Sequence, residues 1–299
     1  MTWVICWFVI YWYGGLMEHQ KLSAVVITYN RIDVIETCLK SVRFVDELIV
    51  VDKGSSDGTA EIGMKMADKF LQVPWSPTVE ETRAQAVAMT TSPWIIILDD
   101  DELLNGKAIE LIKAELKAPK AEVYYLPYRH YILGRHDTDA YYAPEFRPAL
   151  FKKGAIHFTS TVHAGVHIAT EKIHRIPIET DAAILHLSHK DTSVWIEKTN
   201  RYTSQENRAS SVESVAMTPT TIMALMEKYL GSIKAQGNTE YLTAVSALRG
   251  VYDVVDAIKF WEKAQSKSGD TLFKENCDML DQEYIQLSEK YNYKLSGKS

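Results

Sequence analysis

Cysteine is scarce in this 299-residue chain: Cys6, Cys38 and Cys277 are odd in number and widely spaced, with no C-x-x-C pair. That excludes a disulfide framework and argues against a zinc or dithiol motif; a reducing cytosol fits best. Proline and glycine number only 9 and 14, so the chain is neither collagen-like nor of low complexity, and no internal repeat is evident. Positive charge is also short. Lys plus Arg total 33 against 39 Asp plus Glu, a formal net charge of -6, which gives no general pull toward nucleic acid, and no nucleic-acid partner is expected. A bilayer-spanning apolar run is missing too: Trp3 to Tyr13 falls short of the roughly 20 residues required, and no Lys or Arg precedes it as in a signal peptide. What is present is a composition 46% hydrophobic and 24% charged, enough for one large α/β domain or two modest ones.

Residues 1–17 stand apart. They carry no charged side chain but hold Trp3, Trp7 and Trp12. Two readings stay open: an interfacial anchor with its tryptophans at headgroup depth, or a non-native extension ahead of a start at Met17, which is slightly favoured. From Leu22 a regular alternation begins. Ser23 to Thr28 reads as a buried parallel strand, and Arg31 to Val42 shows helical spacing. Glu47 to Val51, Phe70 to Val73 and Trp94 to Leu98 read as further strands. Thr59 to Lys69 and Val79 to Met89 read as helices, with Asp57 a candidate N-cap. Such βα units predict an α/β fold, a mostly parallel sheet with helices on both faces. Ligands bind outside the carboxyl ends of such strands.

The residues just after those ends are unusually polar: Thr28-Tyr29-Asn30-Arg31, then Asp52 followed by Gly54-Ser55-Ser56-Asp57-Gly58-Thr59, then Asp99-Asp100-Asp101-Glu102. Asp52 closes an apolar strand, where its carboxylate can accept from a base or ribose. The plain alternative is a well-capped βα turn. Four adjacent acids repel one another, and a hard divalent cation, Mg²⁺ or Mn²⁺, relieves that best. The plain alternative here is an acidic helix start facing water.

Together, the Val25 to Asn30 run, Val51-Asp52 with its Gly-Ser-Ser-Asp-Gly-Thr turn, and Leu98 to Glu102 resemble the successive signatures of family 2 glycosyltransferases of the GT-A fold. Within that family they are most similar to the lipopolysaccharide core β-1,4-glucosyltransferase-like branch. The strong match covers roughly Leu22 to Leu104. Weaker echoes follow at Phe146 to Phe151, Val162-His163, Leu185-His186 and Lys198 to Tyr202. The resemblance implies a GT-A domain over residues 18–189. It further implies a nucleotide-sugar donor, usually a UDP-sugar, a glycan or lipid-linked saccharide acceptor in cell-envelope or lipopolysaccharide synthesis, and inversion at the anomeric carbon. Asp52 would bind uracil, and Thr28 and Asn30 would line the nucleotide pocket. Arg83 would approach the base or diphosphate, Asp99 would reach the ribose or metal, Asp100 would meet the nucleotide-sugar, and Asp101 would ligate the metal directly, with His186 able to join it.

Two departures are visible. Lys53 stands where the family often has a second acid, and His163-Ala164 replaces the branch's usual His-Glu pair. The base is sought among Asp137, Asp139, Glu145 and His163. His163 is the first choice, with Glu145 the base if His163 instead completes the metal site; His163 also reads as a hydrogen-bonded core or edge-strand histidine. A glycosyltransferase-like binding protein that has lost its base, or a nucleotidyltransferase, are the competing functions. The second would need a Gly-rich basic loop after the first strand, where this chain has TYNR.

Residues 190–299 read as helical: Asp191 to about Ser211, Thr220 to Ala235, Thr239 to Gln265 and Thr271 to Tyr291. Leu248, Val251, Val254, Val255, Ile258 and Trp261 form a stripe read as core-facing. A minority reading makes it a peripheral membrane platform, which would put the protein at the inner face of the cytoplasmic membrane.

Overall fold

The computed structural model describes residues 20–76, 79–158, 166–204, 216–233, 238–293 and 295. The 1–17 extension and His163 lie outside these described residues. The chain divides into two compact units, Met1–His136 with Tyr142–Lys190, and Asp137–Tyr141 with Asp191–Ser299.

In the first unit the expected alternation appears as β1 (Leu22–Thr28), α1 (Ile35–Val42), β2 (Glu47–Asp52), α2 (Thr59–Met66), β3 (Lys69–Gln72), α3 (Glu80–Met89) and β4 (Trp94–Asp99). There follow β5 (Glu102–Leu104), α4 (Gly106–Glu115), β6 (Val123–Ile132), β7 (Glu145–Lys152), β8 (Ile156–Phe158), β9 (Val166–Ile168), β10 (Ile173–Arg175) and β11 (Ile184–His189). The main sheet runs β3-β2-β1-β4-β7-β6-β11-β5, with β10 also on β6. It is mostly parallel, as expected, but β7 runs antiparallel between β4 and β6, and β5 antiparallel to β11.

Helices cover both faces, which is why β1 and β2 are buried at every position. Ala24, Val26, Leu48 and Val50 pack on Ile35, Cys38, Leu39 and Val42 of α1 and Ile112 of α4. The α1 residues recur at i, i+3, i+4 and i+7, a single apolar stripe. Each such side chain contributes about 1.5–3 kcal/mol by leaving water. On the other face Val25, Ile27, Ile49 and Val51 pack on Ala86 of α3 and Ile156 of β8.

Two local expectations change. The N-cap of α2 is Gly58, at φ +98°, rather than Asp57. Asp57 sits one position earlier and its Oδ1 accepts from the Thr59 N–H and Oγ1 (3.0 and 2.6 Å). A Cβ at Gly58 would stand 2.7 Å from Ile32 Cδ1, so glycine serves both the left-handed turn and the close approach. The acids after β4 do not start a helix in water. They form a tight turn into β5, with Asp101 and Glu102 buried.

The second unit carries α5 (Thr192–Thr203), α6 (Pro219–Leu230), α7 (Thr239–Lys263) and α8 (Gly269–Tyr291). Asp191 caps α5 by accepting from the Val194 N–H at 2.9 Å. That helix ends at Thr203, and residues 205–215 lie outside the described residues. The expected stripe on α7 holds in part: Leu248, Val251, Val254 and Val255 are half-buried, Ile258 and Trp261 are exposed, and the fully buried positions are others, among them Leu242, Val245, Asp253, Asp256 and Ala257. On the buried face Asp253 accepts from Tyr229 Oη (2.8 Å) and pairs with Arg249 Nη2 (3.2 Å). Among the described residues no helix is long and apolar enough to cross a membrane.

Candidate functional site

β1, β2 and β4 run in parallel and so deliver their carboxyl ends to one edge; Thr28 is in register with Asp52, and Ile27 with Asp99. Asp52 is fully buried there. Its Oδ2 accepts from the Gly54 N–H (3.0 Å), the Ser55 N–H (2.9 Å) and Gln72 Nε2 (3.0 Å). Its Oδ1, and the Oγ1 of Thr28 beside it, are buried without a hydrogen-bond partner. Buried polar atoms are normally satisfied, so this pair marks a place for a ligand's polar edge. Asn30, at φ +51°, ties the first loop to the second: its N–H donates to Ser55 Oγ (2.8 Å) and its Oδ1 accepts from the Ser56 N–H (2.9 Å). Tyr29 and Trp75 flank the same edge with ring centroids 6.2 Å apart. Lys53 donates to the Ser76 carbonyl at 2.5 Å, bracing the loop after β3.

The four acids have four different surroundings. Asp99 receives Arg83 Nη2 on both oxygens (2.6 and 2.8 Å). Asp100 accepts from the Tyr29 N–H (3.0 Å) and Arg31 Nε (3.2 Å). Burial and the adjacent Asp101 charge push its carboxyl up to about 7, against the pull of Arg31. Asp101, with a side chain only 6% exposed, pairs with Arg31 Nη2 at 2.8 Å. Glu102 is buried, accepts from Tyr128 Oη (2.5 Å) and the Asp99 N–H (3.0 Å), and is raised by burial and by the Asp99 charge.

β11 brings histidine to this turn. His186 is in register with Glu102 on one side and His130 on the other, and the Leu187 N–H donates to the Asp101 carbonyl at 2.8 Å. His186 Nε2 stands 3.4 Å from Asp101 Oδ1, and its Nδ1 is 3.0 Å from His130 Nδ1. His130 Nε2 in turn meets Glu145 Oε2 at 2.8 Å, while Glu145 Oε1 accepts from Arg147 Nε at 3.0 Å. Tyr128 packs against both imidazoles, with Arg147 over its ring at 4.5 Å. Burial lowers His130 below the usual imidazole range, the Glu145 hydrogen bond only partly offsetting it. Burial also works to raise Glu145, but the His130 hydrogen bond and the Arg147 charge outweigh it and hold the carboxyl low.

Residues 23–170, spanning β1 to β9, match the model described as glycosyl transferase family 2. Residues 23–170 are a family 2 glycosyltransferase domain. The lipopolysaccharide core biosynthesis glycosyltransferase LpsC of Rhizobium meliloti is 28% identical over 160 residues, 50% of this chain and 58% of that protein. A TPR repeat-containing protein of Synechococcus elongatus is 36% identical over 102 residues, 34% of this chain and 25% of that protein. The chain therefore spans between a quarter and three fifths of the length of these two relatives. Among solved structures, S. aureus TarS aligns with 80% of this chain and 54% of its own at 13% identity, with a TM-score of 0.44.

The glycosyltransferase domain thus brings Thr28, Asn30, Asp52, Arg83, Asp99, Asp100, Asp101 and His186 to one edge, and joins Glu145 to it through His130. Arg83 meets Asp99 instead of open space. Among the described residues, no three acidic, histidine or cysteine side chains close on one point. Asp101 and His186 form a pair. A carboxylate suits either hard cation and an imidazole suits Mn²⁺ better than Mg²⁺, so with diphosphate oxygens and water as the other ligands the pair fits a divalent ion, Mn²⁺ best. Sequence reasoning missed Arg31, Tyr29, Trp75, Tyr128 and His130. Tyr29 and Arg31 stand within the Thr28 to Arg31 loop already singled out and were within reach, whereas His130 depends on which strand β6 pairs with.

Proposed function

We propose that the chain is an enzyme that moves a sugar from a nucleotide-sugar, of the UDP class, to a hydroxyl of a glycan or lipid-linked saccharide. The step inverts the anomeric centre and depends on Mg²⁺ or Mn²⁺. The cell-envelope setting, lipopolysaccharide or a related polysaccharide built at the cytoplasmic side of the membrane, follows from the family resemblance and the relative named for core biosynthesis.

The observation that carries the reading is the pair of unpartnered buried atoms, Asp52 Oδ1 and Thr28 Oγ1, at the edge that also holds Asp101 and His186. A pyrimidine imide N–H satisfies the carboxylate oxygen, and Tyr29 and Trp75 offer aromatic faces beside the base. Asn30 keeps the first two loops together around it. Asp101 and His186 would hold the metal, which when bound supplies positive charge to the departing diphosphate. Arg31, paired with both Asp100 and Asp101, and Arg83, paired with Asp99, add fixed positive charge at the same edge. In the transfer the acceptor oxygen bonds to the anomeric carbon, the bond from that carbon to the diphosphate oxygen breaks, and its electron pair leaves with the diphosphate. The acceptor proton passes to a base. His163 is the first choice for that base and Glu145, whose oxygens meet His130 and Arg147, the next.

Incubation of the protein with a panel of UDP-sugars, Mn²⁺ and saccharide acceptors, read by mass spectrometry, tests this. Transfer or donor hydrolysis is expected, and UDP binding without either would instead favour a binding protein. Unchanged turnover in excess EDTA would remove the metal. Asp52→Ala is expected to weaken UDP binding with the fold intact, and His163→Ala to slow transfer by about 10² or more while UDP affinity holds.

A further inference from the structure

The chain Asp101–His186–His130–Glu145–Arg147 runs from the acidic turn to β7, and the family match assigns none of it to His130. We propose that His130 and Glu145 are positioning residues that fix the tautomer of His186, so that its Nε2 lone pair points at a divalent cation shared with Asp101. This rests on the metal-dependent reading above.

The argument is one of donors and acceptors. The Glu145 carboxylate accepts from Arg147 Nε on one oxygen, so its other oxygen faces His130 Nε2 as an acceptor, and that nitrogen carries the hydrogen (2.8 Å). His130 sits among the rings of Tyr128, Tyr142 and His186, a setting for the neutral imidazole. With its hydrogen on Nε2, neutral His130 has a lone pair on Nδ1. The 3.0 Å contact between the two Nδ1 atoms then requires His186 to be the donor. A His186 ring carrying one hydrogen has spent it there, and a metal-binding Nε2 is left as the acceptor.

That nitrogen faces another acceptor, Asp101 Oδ1. Their 3.4 Å separation is longer than the roughly 2.7–2.9 Å of a charge-assisted N–H···O bond. Two lone pairs turned toward each other repel unless a cation lies against both. Arg31 meets Asp101 at its other oxygen, Oδ2, while Oδ1 is the oxygen nearer His186 Nε2. A histidine oriented through its second nitrogen by a carboxylate is a recurrent way of making a metal ligand. Here a second imidazole is inserted between the two, extending the reach of Glu145 across β6 to β11.

The test uses the full chain and a substitution that keeps packing but cannot accept a hydrogen bond, His130→Phe, beside one that keeps the donor–acceptor polarity, His130→Gln. A glutamine carbonyl can accept from His186 Nδ1–H while its amide donates to Glu145. Mn²⁺ binding in the presence of UDP, read by electron paramagnetic resonance, is expected to weaken by about 10–100-fold in His130→Phe and by much less in His130→Gln. Nitrogen NMR of the metal-free, histidine-labelled protein is expected to show His186 with its hydrogen on Nδ1, and to lose that preference in His130→Phe. A purely structural role predicts the opposite order, since phenylalanine preserves the ring packing better. Hydrogen on Nε2 of wild-type His186, or Mn²⁺ affinity unchanged in His130→Phe, would overturn the proposal. Mn²⁺ binding unaffected by Asp101→Asn would overturn the metal-dependent reading itself, a separate result.

Discussion

The two edges of the central sheet treat carboxylates in opposite ways. At the amino edge Glu47 opens β2 with every need met: Ser23 Oγ donates at 2.5 Å, the Thr91 N–H at 2.8 Å, and Lys69 Nζ stands 2.7 Å away. Burial works to raise this carboxyl, but those partners overcome it and hold it at about 2. At the carboxyl edge Asp100 has Arg31 and one backbone N–H, yet burial and Asp101 drive it up to about 7. Residues of one chemical class therefore serve as a fastener at one end and remain crowded and underneutralised at the other. Acids set together in this way make sense where a cationic ligand is to come, which is how a site differs electrostatically from a joint.

The comparison predicts a division of effects. Asp101→Asn is expected to lower sugar transfer by about 10²–10³ while the urea midpoint stays at or above wild type, because the substitution relieves repulsion as it removes a ligand. Transfer rate and denaturation measured on the same preparation would break the comparison if stability fell along with activity. Glu47→Gln should do the reverse, costing about 1–3 kcal/mol by disrupting a buried network while the transfer rate holds.

The pH responses sharpen the contrast. The folded pKa of Glu47 is depressed, so its contribution is complete above the unfolded value of about 4.5 and is lost as pH falls through about 2. Glu47→Gln should flatten the acid limb of the stability curve there. Asp100 is shifted the other way: the folded state holds a proton that the unfolded chain releases near 3.8, so stability drains as pH rises from there through about 7. The last expected effect is in Asp100→Asn, a shallower loss of stability between about pH 4 and pH 7, checked by urea midpoints across that range.

How much of this was readable beforehand depends on how local each signal is. The β1 to β4 strands announced themselves because burial on both faces demands continuous apolar runs, and their parallel order carried Asp52 and Asp99 to one edge without further information. Glu145 and His186 were singled out one at a time. Their connection through His130 was invisible, since it arises from β6 pairing with β11, a non-local choice that periodicity does not encode. β5, three residues long, is too short to have a pattern. The α7 face was read only in part: Leu248, Val251, Val254 and Val255 are half-buried, but the fully buried side includes Asp253, which accepts from Tyr229 and pairs with Arg249.

His186 reaches Asp101 through strand register, and this gives the site an unusual vulnerability. Along β11 the residues before and after it are Leu185, packed on the core, and Leu187, 40% exposed. Deletion of Ile184 or Leu185 would shift the ladder by one, turn a leucine toward Asp101 and send the imidazole to the opposite face. The same deletion in the turn that precedes the strand, residues 178–183, leaves the pairing free to re-form. Length variation in evolving relatives of this domain should then collect in that turn and stop abruptly at Ile184, a boundary set by hydrogen-bond phase rather than by contact with any substrate.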